Sequence, residues 1–164
     1  MDDVVLFEED LQRIHLILMH LLKESEALFA LLVNKDGHLL AQEGLTATMD
    51  TTALAALAAG SFASTKALAN LLGESEFSVM FHQGKQENIH ISLVGENTIM
   101  LLIFDDRTNI GLIRLCAKNY VKELLEIFNS LEARKLEIKS EPPLQVAPET
   151  KPAELENNID RLFT

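Results

Sequence analysis

Cysteine is almost absent from this chain of 164 residues, in which Cys116 is the only one. A single thiol excludes a disulfide within the chain and fits a reducing cytoplasm. Long apolar runs are missing too, since none approaches the ~20 residues that a membrane-spanning helix needs. The first ten residues, MDDVVLFEED, are acidic where a signal peptide would be basic. These absences predict a soluble, cytoplasmic protein with no membrane insertion.

Basic residues are scarce, with 14 Lys and Arg against 25 Asp and Glu and a formal net charge of −11. Nucleic-acid backbones require clustered basic side chains, so a nucleic-acid partner is not expected. The seven glycines are scattered. They form neither G-x-x-x-x-G-K-S/T nor G-x-G-x-x-G, the loops that hold phosphates. The chain is therefore predicted to bind no nucleotide and no cofactor of its own.

Proline is confined to one segment near the carboxyl terminus, at Pro142, Pro143, Pro148 and Pro152. The surrounding residues are rich in Glu, Lys and Thr and poor in large apolar side chains, which is typical of disorder. The composition predicts a globular domain over 1–134 and a disordered tether over 135–153.

The last residues, 154–164, place apolar side chains at positions i, i+4, i+7 and i+8, namely Leu155, Ile159, Leu162 and Phe163. Charged residues lie between them, and the pattern predicts a short amphipathic helix. Because so short a helix is marginal by itself in water, we expect it to fold on a groove of a partner. A frayed end with chance periodicity is the alternative.

The most informative segment, 51–73, carries a single charged residue, Lys66. As a helix it has two stripes. The leucine stripe, expected to face the core, consists of Leu54, Leu57, Ser61, Leu68 and Leu72. The small-residue stripe consists of Ala56, Ala59, Gly60, Ala63 and Ala67. A bare apolar stripe left in water would be an unexplained patch, so we predict that other chains cover it.

We add Lys66 and Asn70 to the small-residue stripe as the predicted contact surface for a second copy or another partner. The alternative is a helix buried on both faces within its own domain. We favour a partner, because a domain of this size usually has only two or three layers.

Periodicity and turn signals predict the element order α-β-β-α-β-β-β-α. The first helix spans the apolar positions from Phe7 to Leu22, and the last covers about 108–134. The strands are expected over 27–33, 38–43, 77–83, 88–94 and 98–104. Because nearly all strand connections are tight turns, the fold class is α/β, a five-stranded antiparallel sheet with one helix on one face and two on the other. The last strand, TIMLLIF, is expected at its centre, and an open edge strand would invite pairing with a second copy.

Candidate chemical groups are few. His15 and His20 lie on different helix faces, whereas His82 and His90 flank one hairpin without a third ligand in sight, so no metal site is predicted. Cys116 is interpreted as a packed thiol.

Asp105 and Asp106 precede the last helix, where acids cap free N–H groups, so they are expected to cap it rather than to act as acid and base. Arg107 suggests either an arginine finger for phosphoryl transfer or an ion pair with Asp105 or Glu96. We favour the ion pair, and no catalytic residue is predicted.

Five passages, DTTALAALAAG, GESEF, FHQG, IFDDRTNIGLIRL and NNIDRLF, resemble the Roadblock/dynein light-chain domain family and its bacterial members. The resemblance covers residues 5–132 and resumes at the carboxyl terminus. It implies a homodimer whose paired central helices form a platform for a Ras-like small GTPase. It also implies stimulation of GTP hydrolysis, a role in bacterial polarity and motility with enrichment at a cell pole, and a tail that docks on the GTPase and favours nucleotide exchange.

Two functions of different class remain open. The first is a GTPase-activating regulator that contributes no catalytic side chain, and the second is a non-catalytic dimeric adaptor. The amphipathic tail favours regulation, because a pure adaptor needs no second tethered contact on the same partner. An enzyme with its own active site finds no support in the sequence.

Overall fold

The computed structural model describes residues 6–45 and 47–140. The helices are α1 (Glu8–Ser25), α2 (Thr51–Leu71) and α3 (Ile110–Ser140). The strands are β1 (Phe29–Asn34), β2 (Leu39–Gly44), β3 (Val79–Gln83), β4 (Asn88–Val94) and β5 (Thr98–Phe104). The predicted order and fold class are confirmed, and β4 and β5 have the predicted bounds.

The five strands form one antiparallel sheet in the order β2-β1-β5-β4-β3. Strand β5 lies at the centre and every one of its residues is buried, as its uninterrupted apolar sequence predicted. Strands β2 and β3 form the two edges. At the β2 edge the sheet is tied to α1, where His15 Nδ1 lies 2.7 Å from Glu43 Oε1.

Alternating side chains divide the core into two layers. Met100, Leu102 and Phe104 point to the face covered by α1 and α3, where Ile14 and Leu124 are fully buried. The intervening residues of β5 point to the other face, which α2 covers by itself. The predicted division of two helices on one face and one on the other is therefore confirmed.

The ends of α2 follow from local chemistry. The Asp50 side chain accepts a hydrogen bond from the Ala53 N–H at 2.9 Å, which satisfies one free amide of the first turn. At the other end Gly73 has φ +81°, and the Glu74 N–H donates to the Ala69 carbonyl at 3.0 Å.

The turn between β1 and β2 packs against one side of α2. Asn34 Oδ1 accepts from the His38 N–H at 2.9 Å and closes the turn. Gly37 has φ +94°, and a Cβ built on it would lie 3.1 Å from the Cα of Ala56. Only glycine suits this position, since the backbone is left-handed and helix α2 is in close approach.

Helix α3 begins and ends later than predicted. Asn109 Oδ1 accepts from the Leu112 N–H at 3.0 Å, so Asn109 caps the helix where Asp105 and Asp106 were expected to do so. The helix runs to Ser140 because no glycine or proline occurs between Gly111 and Pro142. Residues 135–140 of the predicted tether are thus helical, and the rest of the tether lies outside the described residues.

Contacts place the sheet, the first two helices and most of α3 in one unit, Met1–Ala133, while a second unit starts at Arg134. None of the helices in the described ranges combines the length and apolarity that a membrane span requires.

Candidate functional site on the central helix

Helix α2 meets the sheet through small side chains. Its buried residues are Ala55, Ala58, Ala59, Phe62 and Ala69. The expectation that the leucine stripe faces the core is wrong for Leu57, Leu68 and Leu72, which are 72%, 54% and 71% exposed. Leu54 is half-buried and packs against the core as expected. The sheet face below α2 already carries large side chains such as Phe29, Leu31 and Ile103. Four of the five buried residues are alanines, which let the helix lie close to that filled surface, while Phe62 contributes one large side chain.

Most of the predicted contact surface is exposed, namely Ala56, Gly60, Ala63, Lys66, Ala67 and Asn70. Ala59 differs, since it is only 6% exposed and packs into the domain. Among the described residues, no heavy atom outside the helix's own backbone lies within 4 Å of a Cβ built on Gly60, so the space beside the helix is open there. An apolar helix face with one charged residue therefore faces outward, and its composition is that of a protein contact.

The two sides of this outward face have different neighbours. On the side of the leucine stripe, Thr65 Oγ1 donates to Met80 Sδ of β3 at 2.9 Å. On the side of the small-residue stripe, the β1–β2 turn approaches through Lys35 and Gly37. The leucine stripe therefore borders the β3 edge of the sheet, while the small-residue stripe borders the β1–β2 turn.

Strand β3 is an open edge. Within the described residues it pairs with β4 alone, so its outer backbone groups lack a strand partner. Val79 and Phe81 on this strand are 43% and 39% exposed, and the Phe81 ring stacks on Phe104 with centroids 6.1 Å apart. An apolar open edge is a template for pairing with another strand.

A small cleft lies where the β1–β2 turn meets α2. Its volume is about 90 Å³, and its lining consists of Lys35, Ala59, Phe62, Ala63 and Lys66. Lys35 Nζ lies 3.0 Å from Glu76 Oε2 and 5.4 Å from the centroid of the Phe62 ring. Sequence reasoning singled out Lys66 but missed Lys35, because no local pattern relates a turn to a helix further along the chain.

The histidines do not assemble into a metal site. His82 pairs with Ile89 and Phe81 with His90, so the two histidines of the hairpin point to opposite faces of the sheet. Across residues 6–45 and 47–140, no three His, Cys, Asp or Glu side chains group as metal ligands would.

Arg107 forms an ion pair with Asp105. Its Nε lies 3.1 Å from both carboxylate oxygens, and its backbone N–H donates to Asp105 Oδ1 at 3.2 Å. These hydrogen bonds hold the pKa of the Asp105 carboxyl below its usual range. Arg107 lines a cleft with Glu26, Ala27, Leu28 and Leu45, none of them on α2.

Cys116 is buried in the layer between the sheet and its two helices. Burial, and then the charge of Glu24, raise the pKa of its thiol, which disfavours the reactive thiolate. Burial and a hydrogen bond to Glu24 likewise raise the pKa of Tyr120 to about 12. These groups pack the core and are poor candidates for nucleophiles.

The predicted anchors of the tail, Leu155, Ile159, Leu162 and Phe163, lie outside the described residues. Their role as a partner-binding helix stays a prediction.

Known proteins place this geometry in a family. The family model of the Roadblock/LC7 domain matches residues 14–104. MglB of Myxococcus xanthus is 40% identical, with a TM-score of 0.74, covering 77% of this chain and 96% of that one. The gliding protein MglB of Thermus thermophilus is 32% identical, with a TM-score of 0.73 and the same coverage of both chains. An MglB solved in a tetrameric arrangement has the same identity, TM-score and coverage. No curated protein sequence matches the chain. Because the family model spans more than half of the sequence and 40% identity extends over most of it, the chain belongs to the Roadblock/LC7 family.

Proposed function

We propose that this chain is a homodimeric regulator of a small Ras-like GTPase, of the kind that MglA represents, and that it stimulates GTP hydrolysis by that partner. The observation that carries the proposal is the outward face of α2, which is apolar, almost uncharged and open. Similarity to MglB proteins supports the choice of partner class. A cytoplasmic role in bacterial polarity and motility, with enrichment at a pole, follows from the same resemblance.

The two sides of α2 suggest two different partners. The leucine stripe lies next to the open edge of β3, so a second copy that pairs with β3 would cover both at once. Such an interface needs to bury on the order of 1,600 Å² in total to be stable. The existence of an MglB in a tetrameric arrangement supports self-association.

The small-residue stripe remains for the GTPase. Its exposed members have side chains no larger than a methyl group, which lets a partner approach the α2 backbone closely. With two α2 helices side by side in a dimer, the stripes would form a platform wider than one helix. One GTPase per dimer is the arrangement we propose.

The regulator contributes no catalytic side chain in this proposal. Arg107 is engaged with Asp105 and lines a cleft away from α2, so it is a poor candidate for an arginine finger. Stimulation would arise by preferential binding to the hydrolysis-competent conformation of the GTPase, whose own residues perform the chemistry.

The decisive experiment measures GTP turnover by the cognate GTPase with and without this chain. We expect turnover to rise with added chain and to saturate at two copies per GTPase. Binding without faster turnover would favour the adaptor, and absence of binding would remove the proposal.

A further inference from the structure

The cleft beside α2 brings two lysines together in a strongly acidic chain. Lys35 lines it from the β1–β2 turn and Lys66 from α2, and its volume of about 90 Å³ exceeds the ~15 Å³ that a single water needs. The whole chain carries a net charge of −11. The two lysines therefore make this cleft a basic site on an acidic protein.

Lys35 is held in place by several contacts. Its backbone N–H donates to the Asn97 carbonyl at 2.9 Å, while its ammonium lies 3.0 Å from Glu76 Oε2 and over the Phe62 ring. The Lys35 side chain is only 26% exposed. A cation fixed in this way loses little conformational entropy when a ligand binds next to it.

Lys66 differs from Lys35 because it has no ion-pair partner among the described residues. It is exposed, and in the described part of the chain no carboxylate oxygen lies within 4.0 Å of its ammonium. Since Glu76 offsets Lys35, the cleft retains the charge of Lys66 as an excess. Its remaining lining, Ala59, Phe62 and Ala63, is apolar.

We infer that this cleft accepts one carboxylate side chain, Asp or Glu, of the GTPase that occupies the small-residue stripe. The inference rests on the proposed function and adds the chemistry of one contact to it. Lys66 would form the ion pair, Lys35 would be a second donor, and the methylene groups of the acidic side chain would lie against the exposed Ala63. Ala63 belongs both to the stripe and to the cleft, so the two surfaces are continuous.

Charge and backbone geometry favour a carboxylate over a phosphate group. Phosphate sites rely on free backbone N–H groups at a helix start or in a glycine-rich loop. Four of the five lining residues belong to the interior of α2, where the N–H groups are used within the helix. Only the two ammonium groups remain as donors.

The test measures binding of the GTPase, loaded with a non-hydrolysable GTP analogue, to the full-length chain at low and at physiological salt. Lys66→Glu should weaken binding roughly tenfold at low salt, and added salt should reduce the difference. The matched control is Lys118→Glu, the same charge change at an exposed position of α3, which should change affinity by less than about twofold. Glu76→Gln should act in the opposite direction and tighten binding about threefold, because it removes the negative charge that offsets Lys35.

A charge swap then identifies the partner residue. Each surface Asp or Glu of the GTPase is replaced by Lys, one at a time. At one position, this replacement should restore binding of the GTPase to the Lys66→Glu variant. Equal effects of Lys66→Glu and Lys118→Glu would overturn the inference.

Other occupants of the cleft give different results, and each would overturn the inference too. Tighter GTPase binding by Lys66→Glu would place the acidic carboxyl-terminal segment of the chain itself in the cleft. A weaker homodimer would place a second copy there. Failure of the unsubstituted chain to bind the GTPase would instead remove the proposed function, and the inference with it.

Discussion

His90 shows how a single residue links the core to pH. It lies on β4, on the sheet face that α1 and α3 cover, and is 1% exposed. Ser92 Oγ lies 3.2 Å from its Nδ1, whereas its Nε2 is buried without a partner in the described structure. Burial, and then the positive charge of Arg114, lower the pKa of His90 to about 4.

Acid should therefore destabilise the domain through His90. In the unfolded chain this histidine takes up a proton near pH 6.5, but in the folded chain only near pH 4. The contribution of neutral His90 to the free energy of unfolding is fully present above pH 6.5. It is lost as the pH falls toward 4, which lowers the free energy of unfolding by about 3 kcal/mol. Denaturant unfolding at fixed protein concentration should show that loss, and His90→Leu should remove most of it.

His20→Leu serves as the control, because His20 is an exposed histidine on α1. It should retain the acid sensitivity of the unsubstituted chain. Parallel pH profiles for His90→Leu and the unsubstituted chain would show that another group is responsible.

At the scale of the element, α2 carries two exposed stripes, and we propose a different partner for each. Its leucine stripe adjoins β3 and its small-residue stripe adjoins the β1–β2 turn. Substitutions on the two sides should therefore affect different partners.

Leu57→Glu with Leu68→Glu should convert the dimer to a folded monomer. Both leucines are exposed in the single chain, and a second copy would have to bury their two new charges without partners. Light scattering at micromolar concentration should show a dimer before substitution and a monomer after it. Leu16→Glu is the control, since Leu16 is 53% exposed on α1. A double variant that remains a dimer would exclude the leucine stripe from the interface.

Ala63→Arg with Ala67→Arg should abolish GTPase binding while the dimer survives. The two residues lie one turn apart on the exposed small-residue stripe, where long cations would hold the partner away from the helix backbone. Binding and turnover assays measure the loss. Leu115→Arg with Asn119→Arg is the matched control, an exposed pair with the same spacing on α3. Unchanged stimulation by the α2 variant would mean that the GTPase sits elsewhere.

At the scale of the whole molecule, we propose that the domain and its tail each contact the GTPase. A tethered second contact raises affinity through effective concentration, and it biases the GTPase only if it prefers one nucleotide state.

Deletion of residues 150–164 should leave the dimer intact but weaken GTPase binding and change nucleotide exchange. Because ordering the tail costs entropy, the loss should be modest, about 1–3 kcal/mol. Titration and nucleotide-release rates measure it. A full-length variant with Leu155, Ile159, Leu162 and Phe163 all changed to Ser should behave like the deletion. If both variants matched the unsubstituted chain in GTPase binding and nucleotide release, the tail would have no role in either. That result would favour the adaptor.

Much of the fold was readable from local signals. Asn34 to Gly37 have the composition of a hairpin turn, Asp50 and Gly73 are of the types that begin and end helices, and the apolar run of β5 indicated a central strand. Turn chemistry, caps and periodicity act over a few residues, so they are visible in sequence alone. The ends of α3 were less visible, because Asn109 competed with Asp105 and Asp106 for the cap.

Only the tertiary structure decided which side of α2 faces the sheet. Hydrophobicity ranks leucine above alanine, so the pattern placed Leu57, Leu68 and Leu72 inside, but a sheet face already filled by large side chains accepts alanines instead. The sequence also could not predict that Lys35 and Lys66 line the same cleft. The tertiary fold brings the β1–β2 turn beside α2, and no spacing in the sequence indicates this. The sequence by itself determined that α2 is an apolar helix with one charged residue, because that depends on composition. Tertiary packing decided which side chains of α2 stay exposed, because that depends on what lies across the helix.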